Sequence, residues 1–112
     1  QLAVASNKYQ AATTKLVGYF FPNIRFTAVL GQREGIKTKP DPGIVSEIRE
    51  KAHVEAADTL YIGDSNVDMQ TAINSGVDAS GVTRGFRPAS ELESYHPKYI
   101  AQKASDILDM LG

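Results

Sequence analysis

The chain has 112 residues, of which 42% are hydrophobic and 22% are charged, a composition that fits one globular domain and excludes a disordered chain. Twelve Lys and Arg against thirteen Asp and Glu leave a net charge of -1, so there is no basic surplus for nucleic acid or an anionic membrane. No apolar run reaches the roughly 18 residues of a membrane span, and the lack of cysteine excludes disulfides, thiolate nucleophiles and cysteine zinc sites.

The first part of the sequence predicts strand, helix, strand and loop. The short apolar run 2–5 is typical of a parallel strand buried on both faces, and the polar residues 6–8 predict the loop that ends it. Apolar positions recur at helical spacing over 9–19, which predicts a helix. The β-rich run 26–30 predicts a second strand that stops at Gly31.

A loop, a helix, a strand and another helix are predicted to follow. Glycines and prolines interrupt 31–43, and 44–52 has the pattern of an amphipathic helix with one buried stripe. A third strand is predicted over 59–62, then a helix from about Val67 that ends at Gly76, a residue suited to the left-handed conformation.

The last part predicts smaller elements. We expect a fourth strand over 79–83, a short helix over 90–95, an edge strand over 99–101 and a final helix around 107–111, where Ile107, Leu108 and Leu111 are apolar.

Alternating strands and helices of this length predict an α/β fold with a parallel sheet and right-handed crossovers, in a Rossmann-like three-layer α/β/α core. Ligands of such sheets bind beyond the carboxyl ends of the strands. Four polar clusters are expected near that edge, at 6–8, 37–41, 63–68 and 84–87.

Asp64 and Asp68 are four residues apart across a strand-to-helix turn, so two carboxylates can approach one point. Paired hard oxygens suit Mg²⁺, which binds one or two carboxylates and leaves room for a phosphate. N-capping of the helix is an equally good interpretation of the same spacing.

Ser6 and Asn7 can hold phosphate oxygens through a hydroxyl, an amide and successive backbone N–H groups. Both residue types are also common turn formers, and on these residues alone the turn is the better interpretation. Lys39 lies before Pro40 in a stiff loop that can fix a cation for a phosphoryl group, although a lone lysine is usually just solvated.

In chain order, Ser6-Asn7-Lys8 after a strand, Lys39-Pro40-Asp41-Pro42, and the run 61–68 strongly resemble the second, third and fourth motifs of the haloacid dehalogenase-like hydrolases. The runs 72–76 and 81–87 look most like those of the phosphoglycolate phosphatase-like members. The resemblance spans nearly the whole chain.

The resemblance implies a Mg²⁺-dependent phosphatase that acts on a small phosphorylated metabolite through an aspartyl-phosphate. It assigns phosphate binding to Ser6, with further contacts from Asn7, and charge compensation to Lys39, so that Ser6 and Lys39 belong to the catalytic machinery. Asp64 would hold Mg²⁺, and Asp68 would support the ion or orient Lys39. These roles suit phosphoryl transfer, in which positioning and electrostatics dominate.

One motif of the family is missing. The nucleophile and the general acid/base are two aspartates in D-x-D-x-T/V on the first core strand, and no D-x-D occurs in these 112 residues. The resemblance places that strand between those ending at Asn7 and Asp64, and a helical cap before the second motif. We therefore expect residues 1–112 to be the C-terminal part of the core domain of a larger enzyme, inactive alone, with an incomplete sheet that needs an N-terminal segment or another copy of the chain.

Two other classes of protein compete with this interpretation. A receiver-type signalling domain has similar length and chemistry, but its acidic cluster comes early and its lysine late, the reverse of the order here. A non-catalytic phosphate-binding or regulatory protein on the same scaffold would also lack the nucleophile.

Four further residues receive no catalytic role from the sequence. We expect His53 and His96 to be surface histidines. Arg84 and Arg87 could meet a substrate anion or lie in a solvated loop. The lack of cysteine suits a reducing cytoplasm, which is the expected location.

Overall fold

The computed structural model describes residues 1–82 and 89–101, and within these ranges strands and helices alternate. In chain order the elements are β1 (Ala3–Tyr9), α1 (Gln10–Phe20), β2 (Ala28–Gln32), α2 (Gly43–Ala52), a 3₁₀ turn (Ala56–Asp58), β3 (Leu60–Gly63), α3 (Asn66–Ser75), β4 (Asp78–Val82), α4 (Ala89–Glu93) and β5 (Tyr99–Ala101). The helix predicted around 107–111 and the cluster 84–87 lie outside the described residues. No helix in the described ranges is long and apolar enough to cross a membrane.

All strand pairs are parallel, as the alternation of elements predicts. In the described ranges β1 pairs with β2, and β3, β4 and β5 form a separate three-stranded sheet in that order. Helices α1 and α2 pack against β2, and α3 packs against β3 and β4. The fold class predicted from the sequence is therefore confirmed.

Strand β1 differs from the prediction at its end. Residues 6–8 were expected in a loop, but the strand continues to Tyr9, where pairing with β2 resumes after a break. Ala5 pairs with Leu30, and the next pair is Tyr9 with Gln32. The chain therefore advances four residues along β1 but only two along β2, so the residues of β1 between these pairs form a bulge. The polar residues lie in an irregular strand rather than in a loop.

Strand β2 also continues past its expected end, through Gly31. A Cβ atom at this position would lie 2.5 Å from the Lys8 carbonyl oxygen and 2.6 Å from Thr13 Oγ1, so the glycine permits a close approach and does not end the strand. The Gln10 side chain bonds the β2 backbone, donating to the Val29 carbonyl (2.8 Å) and accepting from the Gly31 N–H (2.7 Å).

One core joins the elements. Its buried members come from β2, α2, α3, α4, β4 and the turn before β4, and they are Ala28, Leu30, Ile44, Val45, Met69, Ala72, Val77, Ala79 and Leu92. Helix α2 buries its stripe as predicted. The helix predicted over 9–19 is confirmed as α1. Its buried residue is Thr13, whereas the apolar residues Ala12 and Leu16 are exposed.

The helix predicted before Gly76 is confirmed as α3. Its C-terminal Gly76 has φ +68°, the left-handed conformation expected from the sequence. Among its apolar residues, Met69 and Ala72 are buried and Ile73 is exposed.

A cleft of about 460 Å³ separates β1 from β3. Its lining includes Leu2 and Ala3 at the start of the chain and Leu60 and Ile62 of β3. The prediction that the first strand is buried on both faces is wrong, because Leu2 is 56% exposed at the mouth of this gap. Residues of both sheets thus line one space, and several of their side chains are apolar.

Candidate active site at the carboxyl ends of the strands

Lys39 lies in the loop between β2 and α2, and side chains from other elements hold its backbone. Asn7 accepts a hydrogen bond from the Lys39 N–H (2.9 Å) and donates one to the Lys39 carbonyl (3.3 Å). Asn74 of α3 donates to the Pro40 carbonyl at 2.9 Å. Asn7, expected to contact phosphate, thus uses both amide atoms on the backbone of Lys39.

The Lys39 ammonium forms the central ion pair of the site. Its Nζ donates to Asp68 Oδ1 at 2.8 Å and to the Ala5 carbonyl at 3.3 Å. The two charged side chains are only 11% and 13% exposed, so solvent screens this pair less than a surface pair. Of the two roles considered for Asp68, these contacts favour orientation of Lys39.

Local sequence explains how Asp68 reaches this position. Ser65 is the N-cap of α3, and its hydroxyl accepts the Asp68 N–H at 3.2 Å. The N-cap is therefore the serine between the two aspartates rather than either carboxylate. A Cβ atom on Gly63 would lie 2.3 Å from Asp68 Cβ, so the glycine in Gly63-Asp64 makes room for the Asp68 side chain.

Tyr61 completes the group. Its hydroxyl donates to Asp68 Oδ1 at 3.0 Å, and the Asp64 N–H donates to Asp68 Oδ2 at 3.2 Å. Burial alone would raise the pKa of Asp68, but the hydrogen bond and charge of Lys39, with the hydroxyls of Tyr61 and Ser65, bring it below its usual 3.8. Burial, then the negative charge of Asp68, raises the pKa of Tyr61 far above its usual value, so its hydroxyl keeps its proton.

Asp64 follows β3 directly, is exposed, and lines the cleft together with Lys39, Tyr61 and Asp68. The donor set suits Mg²⁺, which binds through one or two carboxylates and completes its shell with water and phosphate oxygens. The two oxygens of Asp68 already accept three hydrogen bonds. The described residues contain no group of three or more His, Cys, Asp or Glu that could hold a metal ion.

Ser6 is half-buried in the bulged end of β1. Its hydroxyl accepts a hydrogen bond from the Lys8 N–H at 3.1 Å, as the turn interpretation predicts. Among the described residues, Ser6 and Asn7 are not part of the cleft lining.

The remaining candidates lie elsewhere. His53 ends α2 in the left-handed conformation with φ 56°, and both His53 and His96 are exposed, as predicted. Lys37 is exposed in the same loop as Lys39. Arg84 and Arg87 lie outside the described residues.

Sequence reasoning missed Tyr61 and Asn74. The alternation of a strand could have indicated Tyr61, because it precedes Gly63 by two residues and so shares the face against which Asp68 packs. Asn74 gives no such signal, since an exposed amide on a helix surface is ordinary and its acceptor is a backbone carbonyl 34 residues away.

Comparison with known proteins gives a consistent result. Residues 1–82 match the family model described as haloacid dehalogenase-like hydrolase. A phosphoglycolate phosphatase of Vibrio parahaemolyticus is 30% identical over 87 residues, which are 78% of this chain and 38% of the relative. One from Pectobacterium atrosepticum is 27% identical over 111 residues, 99% of this chain and 47% of the relative. The chain thus spans less than half the length of these two relatives.

Solved structures agree in fold. A protein from Lactobacillus delbrueckii, provisionally assigned as a phosphoglycolate phosphatase, superposes with a TM-score of 0.90 at 37% identity, over 99% of this chain and 46% of that chain. A haloacid dehalogenase-like hydrolase from Streptococcus pneumoniae matches in fold with a TM-score of 0.87 at 20% identity, over 99% of this chain and 52% of that chain. Because the family model matches most of the sequence, this chain belongs to the haloacid dehalogenase-like hydrolases, and its relatives include phosphoglycolate phosphatases.

Proposed function

We propose that this chain is the C-terminal part of the core domain of a cytoplasmic, Mg²⁺-dependent phosphatase that hydrolyses a small phosphomonoester such as phosphoglycolate. The observation that carries the proposal is the Lys39 ammonium, held at 2.8 Å from Asp68 beside a cleft that Asp64 also lines. A fixed cation next to an exposed carboxylate suits a phosphoryl group with its metal ion.

Each residue has a task in this proposal. Asp64 would hold Mg²⁺, which supplies charge neutralisation at the phosphoryl oxygens when bound. Asp68 directs Lys39 toward the phosphate and supports the metal-binding turn through the Asp64 N–H. Asn7 fixes the Lys39 backbone, and Ser6 binds a phosphate oxygen once its hydroxyl turns away from the Lys8 N–H.

The nucleophile is proposed to come from outside these residues. An aspartyl-phosphate needs a carboxylate at D-x-D, which residues 1–112 do not contain. We propose that an N-terminal segment, or another copy of the chain, supplies a strand to the cleft between β1 and β3. The open strand edges and the greater length of the relatives support this idea. Without that strand, the 112-residue chain should be inactive.

The first test is to sequence the coding DNA upstream of Gln1. An in-frame D-x-D-x-T/V after an apolar run, followed by a mainly helical insert, is the expected result. A start codon directly before Gln1 with no such motif would overturn the enzyme proposal and favour a phosphate-binding scaffold.

The second test compares the longer product with the 112-residue chain on phosphoglycolate, with Mg²⁺ and with EDTA. We expect turnover by the longer product that requires Mg²⁺, and none by the short chain. Lys39→Met should lower kcat/KM by roughly 10²-fold or more, whereas Lys51→Met, on an exposed position of α2, should leave it unchanged. Turnover by the short chain, or full activity of Lys39→Met, would contradict the proposal.

A further inference from the structure

Lys39, Asp68 and Tyr61 form one hydrogen-bonded group. The family motifs give Lys39 and Asp68 a role, but they give none to Tyr61. It lies in β3, three residues before Asp64, and lines the cleft. Its hydroxyl donates to Asp68 Oδ1, the same oxygen that receives the Lys39 ammonium.

The three hydrogen bonds fix the Asp68 carboxylate. Oδ1 accepts from Lys39 at 2.8 Å and from Tyr61 at 3.0 Å, while Oδ2 accepts from the Asp64 N–H at 3.2 Å. A carboxylate bound on both oxygens cannot rotate without breaking at least one of these bonds. Without the hydroxyl, Oδ1 would have only the flexible lysine as a partner among these donors.

The tyrosine ring also borders the path of the lysine side chain. Lys39 Nζ lies 6.0 Å from the ring centroid, at the outer limit of a cation–π contact. Lysine has four rotatable bonds, so a defined position for its ammonium requires such neighbours.

We propose that Tyr61 is a positioning residue for Lys39: its hydroxyl locks the Asp68 carboxylate in the orientation that receives the ammonium. The consequence for phosphate chemistry rests on the proposed function, whereas the hydrogen-bonded arrangement itself does not. One measurement therefore tests the hydrogen-bonded arrangement, and a second tests its effect on catalysis.

The first measurement is NMR of the ammonium group in the longer product, labelled with ¹⁵N-lysine and ¹³C-aspartate. In the unmodified chain we expect a Lys39 ammonium cross-peak with a coupling across the hydrogen bond to Asp68 Cγ, absent in Lys39→Met. In Tyr61→Phe the coupling should vanish, or exchange with water should become roughly tenfold faster, the effect of one hydrogen bond to a charged group. Tyr19→Phe, which removes an exposed hydroxyl from α1, should leave the signal unchanged.

The unmodified chain gives a check that does not depend on the variant folding. The Tyr61 hydroxyl proton should exchange slowly enough to be observed and should show a nuclear Overhauser contact with the Lys39 side chain. An unchanged Lys39 signal in folded Tyr61→Phe, or no observable hydroxyl proton, would overturn the proposal.

The second measurement is steady-state kinetics of the longer product. Tyr61→Phe should lower kcat roughly tenfold with KM little changed, because substrate still binds while the cation is misplaced. If Tyr61→Phe loses the NMR signal but keeps its kcat, the catalytic part of the proposal is refuted. The positioning of Lys39 by Tyr61 would then still stand. An inactive longer product with the NMR result as expected would overturn the proposed phosphatase instead.

Discussion

The absence of a Cβ atom at Gly63 decides whether Asp68 can reach Lys39. A methyl group there would meet Asp68 Cβ at 2.3 Å and Cγ at 2.6 Å, so the aspartate would have to move. We expect Gly63→Ala to destabilise the fold by about 2 kcal/mol, in the range of overpacked sites. Urea unfolding of the longer product measures this free energy.

Gly18 offers the matched control. It lies in α1, and a Cβ atom there would have no heavy atom within 4 Å. Because alanine favours a helix over glycine, Gly18→Ala should stabilise the protein by about 0.5–1 kcal/mol. Equal effects of the two substitutions would contradict the close-contact explanation.

The pairing of Asp68 makes stability depend on pH in a defined direction. The folded pKa of Asp68 lies below its usual 3.8, so its contribution is complete above that pH and is lost as pH falls through the folded value. Asp68→Asn leaves the Lys39 ammonium without its charged partner and should cost about 3 kcal/mol at pH 7. The difference from the unmodified chain should shrink steadily below about pH 4.

Guanidinium unfolding of the longer product from pH 3 to pH 8 measures that difference. In a Lys39→Met background the same Asp68→Asn substitution should cost less, because the carboxylate has already lost its cation. A cost that does not change with pH or with background would contradict the ion-pair explanation.

At the scale of elements, the two helices α2 and α3 end alike but with different residues. The left-handed position is His53 with φ 56° in α2 and Gly76 with φ +68° in α3. Because a side chain in this conformation costs about 1 kcal/mol, His53→Gly should raise the unfolding free energy by about that amount. Gly76→Ala, with no heavy atom near its Cβ position, should lower it similarly.

Differential scanning calorimetry of both variants, each made in the longer product, tests the comparison. A lower melting temperature for His53→Gly would contradict it and would assign a stabilising contact to the imidazole.

The elements were largely predictable because each is marked by local chemistry, such as the stripe of α2 and the glycine that ends α3. The inner face of α1 was not, because Thr13 satisfies its hydroxyl on the carbonyls of Lys8 and Tyr9 and can therefore be buried. The end of β1 was mispredicted for a related reason. Its polar residues look like a loop, but pairing resumes at Tyr9.

At the candidate site, the proximity of Lys39, Asp64 and Asp68 was predictable because the carboxyl ends of parallel strands meet at one edge of a sheet. The position of Asn7 on the Lys39 backbone was not, since it depends on two segments 32 residues apart. The position of Tyr61 beside Asp68 could be predicted only by combining the alternation of side chains along a strand with the glycine two residues later.

For the whole molecule, the separation of the strands into two sheets predicts low stability of the 112-residue chain alone. Leu2 and Ile62 are large apolar residues exposed at the cleft, and no strand pairs the facing edges in the described residues. We expect no cooperative thermal transition from the monomeric short chain, and a cooperative one from the longer product. Calorimetry combined with sedimentation tests this, and a cooperative monomeric transition of the short chain would count heavily against a missing strand.

The gap between β1 and β3 divides the backbone hydrogen bonds of the described strands into two ladders. Side chains of the core and contacts such as Lys39 with Asp68 connect the ladders. Amide hydrogens should therefore exchange with deuterium in two kinetic groups, one for β1 and β2 and one for β3 to β5, as separate opening units. A strand placed in the gap would join the ladders and merge the two groups into one.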